Sequence, residues 1–284
     1  MTVNEQDLTY ARAGDETLMA RVYHDPANSR GHAIVSVHGG TWSKNDRTSS
    51  HVLDRGLARA GLTVFALDFR QGPAYKFPAA TQDIVAGIRY VRANASRFGV
   101  NPDTIGIVGS SSGGQSVLLT SLTPGRAEHE GTELIDENGQ PRRAEHIDSN
   151  VAYTIALWPV TNPAYRFRYA QEVGRSDLVE GHRAYFRGEN DMHAASIQRV
   201  LEEDEACALP PMWVVQAGAD TNVPQAMTLD FLRALQAQGA PFEYVFYPGQ
   251  PHALTRDDTP MASRCIADAV AFINRQLDGK TQAG

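Results

Sequence analysis

Two rhythms alternate along the chain. Short, nearly continuous apolar runs rich in valine and isoleucine are each followed by longer stretches in which apolar residues recur every three or four positions. "HAIVSVHGG" (32–40) reads as a buried strand, and "TSSHVLDRGLARAG" (48–61) as a helix closed by Gly61. "LTVFALDF" (62–69) is a second strand, and 77–99 a long amphipathic helix with Ile84, Ile88, Val91 and Phe98 along one face. "TIGIVGSSSGG" (104–114) is a strand running into glycines, and "QSVLLTSL" continues it as a helix. "VAYTIALWPV" (151–160) and "PMWVVQAGAD" (211–220) are further strands. A helix over 223–239, with Pro224 in its first turn and Gly239 at its end, precedes a last strand, "FEYVFYPG", and a last helix, "MASRCIADAVAFINRQL". Continuous apolar strands alternating with helices predict an α/β chain whose mostly parallel sheet is covered by helices on both faces.

Two segments break the rhythm. Residues 124–150 are polar and turn-rich, and 161–209 carry helical stretches but no strand. Both are expected to sit on top of the sheet rather than in it, the first as a polar loop insertion and the second as a cap-like insert. The whole of 1–284 is thus read as a single domain.

Composition narrows the function. The 26 basic and 33 acidic residues leave a formal charge of −7, with no basic run, which argues against a nucleic acid or an anionic membrane as partner. No apolar stretch approaches the length of a membrane span, and the N-terminus lacks the pattern of a secretory leader. Two cysteines without metal-type spacing fit reduced thiols of a cytoplasmic protein, although a secreted protein with its leader removed would read the same way. No metal and no organic cofactor is expected.

The chemistry centres on "GSSSGG" (109–114). Gly109-Ser110-Ser111-Ser112-Gly113 has the G-x-S-x-G form, with a strand before it and a helix after it. That context suits a serine held on a sharp strand-to-helix turn, with glycines two positions either side where a Cβ would not fit. A phosphate loop would need G-x-G-x-x-G or a terminal Gly-Lys-Ser/Thr, and neither is present. Ser111 is therefore the expected nucleophile. A serine hydroxyl needs a base, and His252, in "YPGQPHAL" after the last strand, is placed to reach back over the sheet edge. The base needs an acid to fix its tautomer. Asp220, at the end of "MWVVQAGAD", is the candidate, with helix capping as its alternative role. "HGGTW" (38–42) follows the first strand of the parallel series and could aim backbone N–H groups at a developing oxyanion. The expected donors are Gly40, Thr41 and Ser112, with Gly39 shaping the turn and His38 bracing it.

On these residues the chain resembles the α/β-hydrolase superfamily, and within it the hormone-sensitive-lipase-like carboxylesterases. The likeness runs through "HGGTW", "LDFRQGP", "RFGVNPDTIGIVGSSSGG", "QAGADTNVP" and "YPGQPHAL", covering most of 32–120 and 210–275. The HGG-x-W form is also similar to kynurenine formamidases. The resemblance implies an α/β-hydrolase fold with a helical cap insert, Ser111 as nucleophile, Asp220 as acid, His252 as base and 38–42 as oxyanion loop. It assigns bracing roles to Asp68, Arg70 and Asp83. Thr41 departs from a third glycine in the lipase-like group, and Ser110 and Ser112 from its Asp and Ala.

The implied activity is hydrolysis of small to medium carboxylic esters through an acyl-enzyme. Alternatives are an amide, formamide or lactone hydrolase with the same triad, or a non-catalytic ligand-binding member of the fold. The expected partner is a small-molecule ester, with a homodimer left open. Trp42 and Trp158 are candidates for walls of the substrate pocket. In "YRFRY" (165–169), Arg166 and Arg168 read as a solvated edge in preference to a partner for a substrate carboxylate.

Overall fold

The computed structural model describes residues 2–278. Two strands, β1 (Asn4–Ala13) and β2 (Glu16–His24), form an antiparallel hairpin ahead of the α/β series. Then follow β3 (His32–Val37), α1 (His51–Arg59), β4 (Leu62–Leu67), α2 (Ala79–Ala93) and the short α3 (Ala95–Phe98). β5 (Gly106–Ser110) leads into α4 (Ser112–Leu122), and two small strands, β6 (Glu133–Ile135) and β7 (Pro141–Arg142), come next. After β8 (Thr154–Leu157) the chain makes four helices: α5 (Pro163–Glu172), α6 (Ser176–Tyr185), α7 (Glu189–Ala194) and α8 (Ile197–Glu202). β9 (Met212–Ala217), α9 (Gln225–Ala237), β10 (Phe242–Tyr247) and α10 (Pro260–Asp278) complete it.

All ten strands form one sheet in the order β10-β9-β8-β5-β3-β4-β2-β1-β6-β7. From β10 to β4 every pairing is parallel, and the hairpin adds an antiparallel flank through β2 on β4. The period-2 geometry of the strands splits their side chains between two cores. Val35, Val37, Phe65, Leu67, Ala156 and Val214 join one with Ile84, Val117 and Phe231 of α2, α4 and α9. Ile34, Val64, Ile155, Leu157, Trp213 and Val215 join the other with Leu53, Leu57, Phe272 and Ile273 of α1 and α10. Burial on both faces is why these strands read as unbroken apolar runs.

Three local features differ from the sequence reading. The 124–150 segment is not wholly above the sheet: β6 pairs antiparallel with β1 through Ala11–Leu134 and Arg12–Glu133, and β7 pairs with β6 at the edge. Strands this short bury one apolar side chain, Leu134, and leave no periodic signal. The helix foreseen over 77–99 is two helices broken at Asn94, whose Nδ2 donates to the Tyr90 carbonyl at 2.8 Å. Phe98 lies on the second, 4.8 Å edge-to-face from Phe65. The N-terminal hairpin was not foreseen either, because much of β1 is exposed and polar.

The fold places the site at the carboxyl ends of the parallel strands. β3 has β4 on one side and β5 on the other, so the chain order reverses there, where such sheets open a crevice. The cap helices lie over it. Phe77 N–H donates to the Tyr185 carbonyl at 3.0 Å and Lys76 Nζ to the Ala184 carbonyl at 2.6 Å, tying the end of α6 to the entry of α2.

Candidate active site

Ser111 sits between β5 and α4 with φ 54° and ψ −119°, a conformation that costs a non-glycine residue about 1–3 kcal/mol. Its N–H donates to the Leu157 carbonyl at 2.9 Å, and its own carbonyl accepts from Gln115 and Val160, so the neighbouring strand and helix hold the turn. The flanking glycines clear its path. A Cβ at Gly109 would lie 2.5 Å from the Gly113 carbonyl oxygen, and one at Gly113 would lie 2.4 Å from those of Val37 and His38.

Three side chains from three loops converge there. His252 Nε2 lies 3.0 Å from Ser111 Oγ, and His252 Nδ1 lies 2.8 Å from Asp220 Oδ2. Both oxygens of Asp220 are engaged, although neither caps α9, whose N-cap is Pro224. Its Oδ1 accepts the N–H groups of Asn222 at 2.7 Å and Val223 at 2.9 Å, at the turn into α9, while Oδ2 faces the imidazole. Those backbone bonds fix the carboxylate so that the histidine must present Nδ1–H to it, leaving Nε2 as an acceptor toward the serine. Ala253, with φ 61°, follows the histidine.

The 38–42 loop lies against this turn. A Cβ on Gly39 would be 2.9 Å from the Ser110 carbonyl oxygen and 3.1 Å from Ser111 Cβ, so the loop approaches the serine as only glycine allows. His38 Nδ1 is 2.7 Å from the Gly39 carbonyl, and its ring stacks on Phe69 at 4.4 Å. Burial pushes the His38 pKa down, so the ring is neutral and Nδ1–H is the donor. Among the described residues, the N–H groups of Gly40, Thr41 and Ser112 make no hydrogen bond within the chain. Thr41 has φ 53°, and its side chain packs under α6, where a Cβ on Gly181 would come 2.7 Å from Thr41 Cβ.

Ser111 and His252 open into a cleft of about 160 Å³, walled also by Gly39, Gly40, Thr41, Trp158, Arg166, Leu178, Asn222 and Arg256. Trp158 is a wall, buried, with its ring 6.2 Å from that of His252. Trp42 is not. It lies beneath the loop, stacked on Tyr185 at 5.8 Å and edge-on to Phe186 at 4.9 Å, with Nε1 donating to Gln115 Oε1 at 2.9 Å. Packing against the cap takes its ring away from the cleft. Arg166 also departs from the sequence reading, being buried rather than solvated, whereas Arg168 is exposed.

Sequence reasoning missed Gln115. One turn beyond Ser111, its Oε1 receives Trp42 Nε1–H and its Nε2 donates to the Ala195 carbonyl at 2.9 Å, joining the 38–42 loop, α4 and the 161–209 segment. No motif marks it. The bracing residues do pair: Arg70 grips buried Asp83 through Nε at 3.0 Å and Nη2 at 2.8 Å, and Asp68 accepts from Arg47 N–H and Nη1, each at 2.7 Å.

Comparison with known proteins places this geometry. The chain is 33% identical over 264 residues to an arylesterase of Saccharolobus solfataricus, covering 93% of this chain and 80% of that protein. It is 26% identical over 274 residues to an acetyl esterase of Salmonella paratyphi B, covering 93% of this chain and 77% of that one. Among solved structures, a hyperthermophilic esterase from the archaeon Pyrobaculum calidifontis aligns with a TM-score of 0.74 at 22% identity, covering 96% of this chain and 84% of that one. An esterase structure from the fungus Rhizomucor miehei aligns at 0.78 with 19% identity, covering 98% and 85%. Residues 34–256 match the family model for the alpha/beta hydrolase fold. That span contains the serine, the histidine, the aspartate and the loop that meets them: the chain belongs to the alpha/beta hydrolase fold family.

Proposed function

We propose that this protein hydrolyses esters of short carboxylic acids through an acyl-enzyme on Ser111. The observation that carries the reading is the relay Ser111 Oγ–His252 Nε2–Asp220 Oδ2, at 3.0 and 2.8 Å, opening into one cleft. His252 takes the Ser111 proton as Oγ attacks the ester carbonyl, and Asp220 stabilises the imidazolium that forms. The N–H groups of Gly40, Thr41 and Ser112, which have no partner within the chain among the described residues, receive the oxyanion. Each such donor is worth about 3–4 kcal/mol in the transition state. The imidazolium then protonates the departing alcohol, and His252 activates water to release the acid.

The arylesterase and acetyl esterase relatives support an ester rather than an amide bond. The cleft supports a small acyl group. Its volume of about 160 Å³ is close to the ~150 Å³ of a cavity that holds one benzene. A group of that size fits within it, and the ester series below tests whether longer chains are accepted.

The test is hydrolysis of p-nitrophenyl acetate, butyrate, octanoate and laurate by wild type and by Ser111→Ala. We expect kcat to fall about 10⁶-fold in the variant, and kcat/KM of the wild type to peak at acetate or butyrate. Equal, feeble turnover by both proteins on every ester would reject the assignment.

A further inference from the structure

Helix α5 places a buried cation at the cleft wall, and among the described residues no carboxylate or other hydrogen-bond acceptor answers it. Arg166 lies in the early turns of α5 and is 0% exposed, with its Cζ 5.2 Å over the Trp42 ring. None of its three guanidinium nitrogens has a hydrogen-bond partner among the described residues. The carboxylates whose charge it feels are committed elsewhere. Asp220 has both oxygens taken by Asn222, Val223 and His252, and Asp177 pairs with Arg175 at 2.8 Å. Burial pushes the Arg166 pKa down to about 9, which leaves it charged at neutral pH.

A buried, unpaired guanidinium is costly, and proteins ordinarily give such a charge a carboxylate. Here the surroundings are arranged as if that carboxylate arrives from outside. The Trp158 indole N–H, on the same cleft, is also buried without a partner. Both groups donate and cannot accept. Among the described residues the cleft wall contains no Asp or Glu, but it includes a second guanidinium, the exposed Arg256. The His182 ring beside Arg166 is kept neutral, because burial, with Arg166 adding to it, lowers its pKa to about 3. It therefore adds no positive charge to compete for an anion.

We propose that Arg166 is a specificity residue that binds a free carboxylate on the substrate, so that the preferred substrates are short esters carrying one anionic group. This rests on the esterase reading above. A guanidinium matches a carboxylate with two parallel N–H···O bonds, which suits a planar carboxylate better than a diffuse anion. Ser111 and Arg166 line one cleft of about 160 Å³, so a substrate that meets both carries its carboxylate close to the ester carbonyl. Half-esters of short dicarboxylic acids meet that requirement. Acyl esters of a short hydroxy acid place the same carboxylate on the alcohol side.

The experiment measures selectivity. In one arm, kcat/KM is compared for monomethyl succinate and methyl succinamate, which differ by carboxylate against carboxamide. In the other, acetoxyacetate is compared with acetoxyacetamide. The wild type should favour the anionic member of at least one pair by tenfold or more, and the arm that responds tells which side of the ester carries the charge. Arg166→Gln should lower that preference about 100-fold, equivalent to about 2.7 kcal/mol. Arg166→Lys keeps the charge but loses the fork, should lower it about tenfold, and serves if the glutamine variant does not fold.

Calorimetry of succinate and of acetoxyacetate binding to Ser111→Ala, with and without Arg166→Gln, reads the site without turnover. At least one of the two should bind Ser111→Ala and weaken about 100-fold in the double variant. Failure of ester hydrolysis is thereby separated from failure of the anion site. A wild type indifferent to charge in both arms, or binding unmoved by loss of the guanidinium, would overturn the proposal.

Discussion

Replacing Asp220 by asparagine tests the proposed relay at its far end, and the geometry says why the change should be so damaging. The side chain has no freedom to choose its orientation. Oδ1 accepts two backbone N–H groups, from Asn222 at 2.7 Å and Val223 at 2.9 Å, and an amide must keep its oxygen there because its NH₂ would face two donors. The NH₂ then occupies the Oδ2 position, 2.8 Å from His252 Nδ1. A donor facing that nitrogen obliges the ring to move its proton to Nε2, which stands 3.0 Å from Ser111 Oγ. The base would present a proton where it must accept one. The same change in a serine protease lowers kcat by about 10⁴, or about 5.4 kcal/mol of barrier. We expect a loss of that size for Asp220→Asn in p-nitrophenyl acetate hydrolysis at pH 8. Both backbone bonds survive, so the thermal midpoint should stay within about 2–4 °C of wild type, the shift that about 1 kcal/mol produces in a domain of this size. Activity above a tenth of wild type would refute the tautomer argument. A collapse of the midpoint would show that Asp220 acts by holding the fold.

Three further outcomes follow from buried contacts. Gly113→Ala drives a Cβ to within 2.4 Å of two backbone carbonyls, those of Val37 and His38, and should cost about 3 kcal/mol or more in urea unfolding. An unchanged midpoint would mean that the turn relaxes. Gln115→Leu strands the Trp42 indole N–H and the Ala195 carbonyl, and should cost about 2–5 kcal/mol by the same measurement. Asp54 is buried on α1, which raises its pKa to about 7, with the Ser36 hydroxyl pulling the other way. Its unfolded value is about 3.9, so between roughly pH 4 and 7 the folded state holds a proton that the unfolded state has released. Stability is therefore lost as pH rises through that window, by up to about 4 kcal/mol. Asp54→Asn should flatten the fall in unfolding free energy between pH 5 and pH 8, and parallel profiles for variant and wild type would refute it.

What could be read from the sequence depended on whether a residue's surroundings were local. β3, β4, β5, β8 and β9 are buried on both faces, so their apolar runs stood out without knowledge of partners. β1 shows four exposed residues at its start, and β6 has three residues in all, so pairing rather than composition makes them strands. The convergence of Ser111, Asp220 and His252 could be anticipated because each follows a strand of the parallel series, and the sheet brings the ends of those strands together whatever loops intervene. Trp42 and Arg166 were misread for the converse reason. Whether a tryptophan beside the loop faces the cleft or the cap, and whether an arginine in α5 meets water, depends on how residues 161–209 lie over the sheet. No local spacing encodes that.

The distribution of backbone strain carries the same division into the chemistry. Seven non-glycine residues have positive φ among those described, and six of them, Thr41, Trp42, Asn45, Ser111, Trp158 and Ala253, lie on the segments around the cleft. Strain persists where neighbours over-determine the backbone. Here the sheet does so: Ser111 N–H is held by the Leu157 carbonyl, and Trp158 N–H by that of Val215 at 2.7 Å. Ser111, the 38–42 loop and one cleft wall thus take their geometry from neighbouring parallel strands, β5, β3 and β8. Arg166 sits instead on α5, a helix of the 161–209 segment, with its guanidinium packed on Trp42 of the 38–42 loop. The residues proposed to break the ester bond therefore sit at strand ends of the sheet, and the arginine proposed to select the substrate sits on a helix laid over them. On these proposals, substitutions in α5 around Arg166 should change selectivity while the Ser111–His252–Asp220 contacts persist, whereas a shift in the register of β5 would move Ser111 itself.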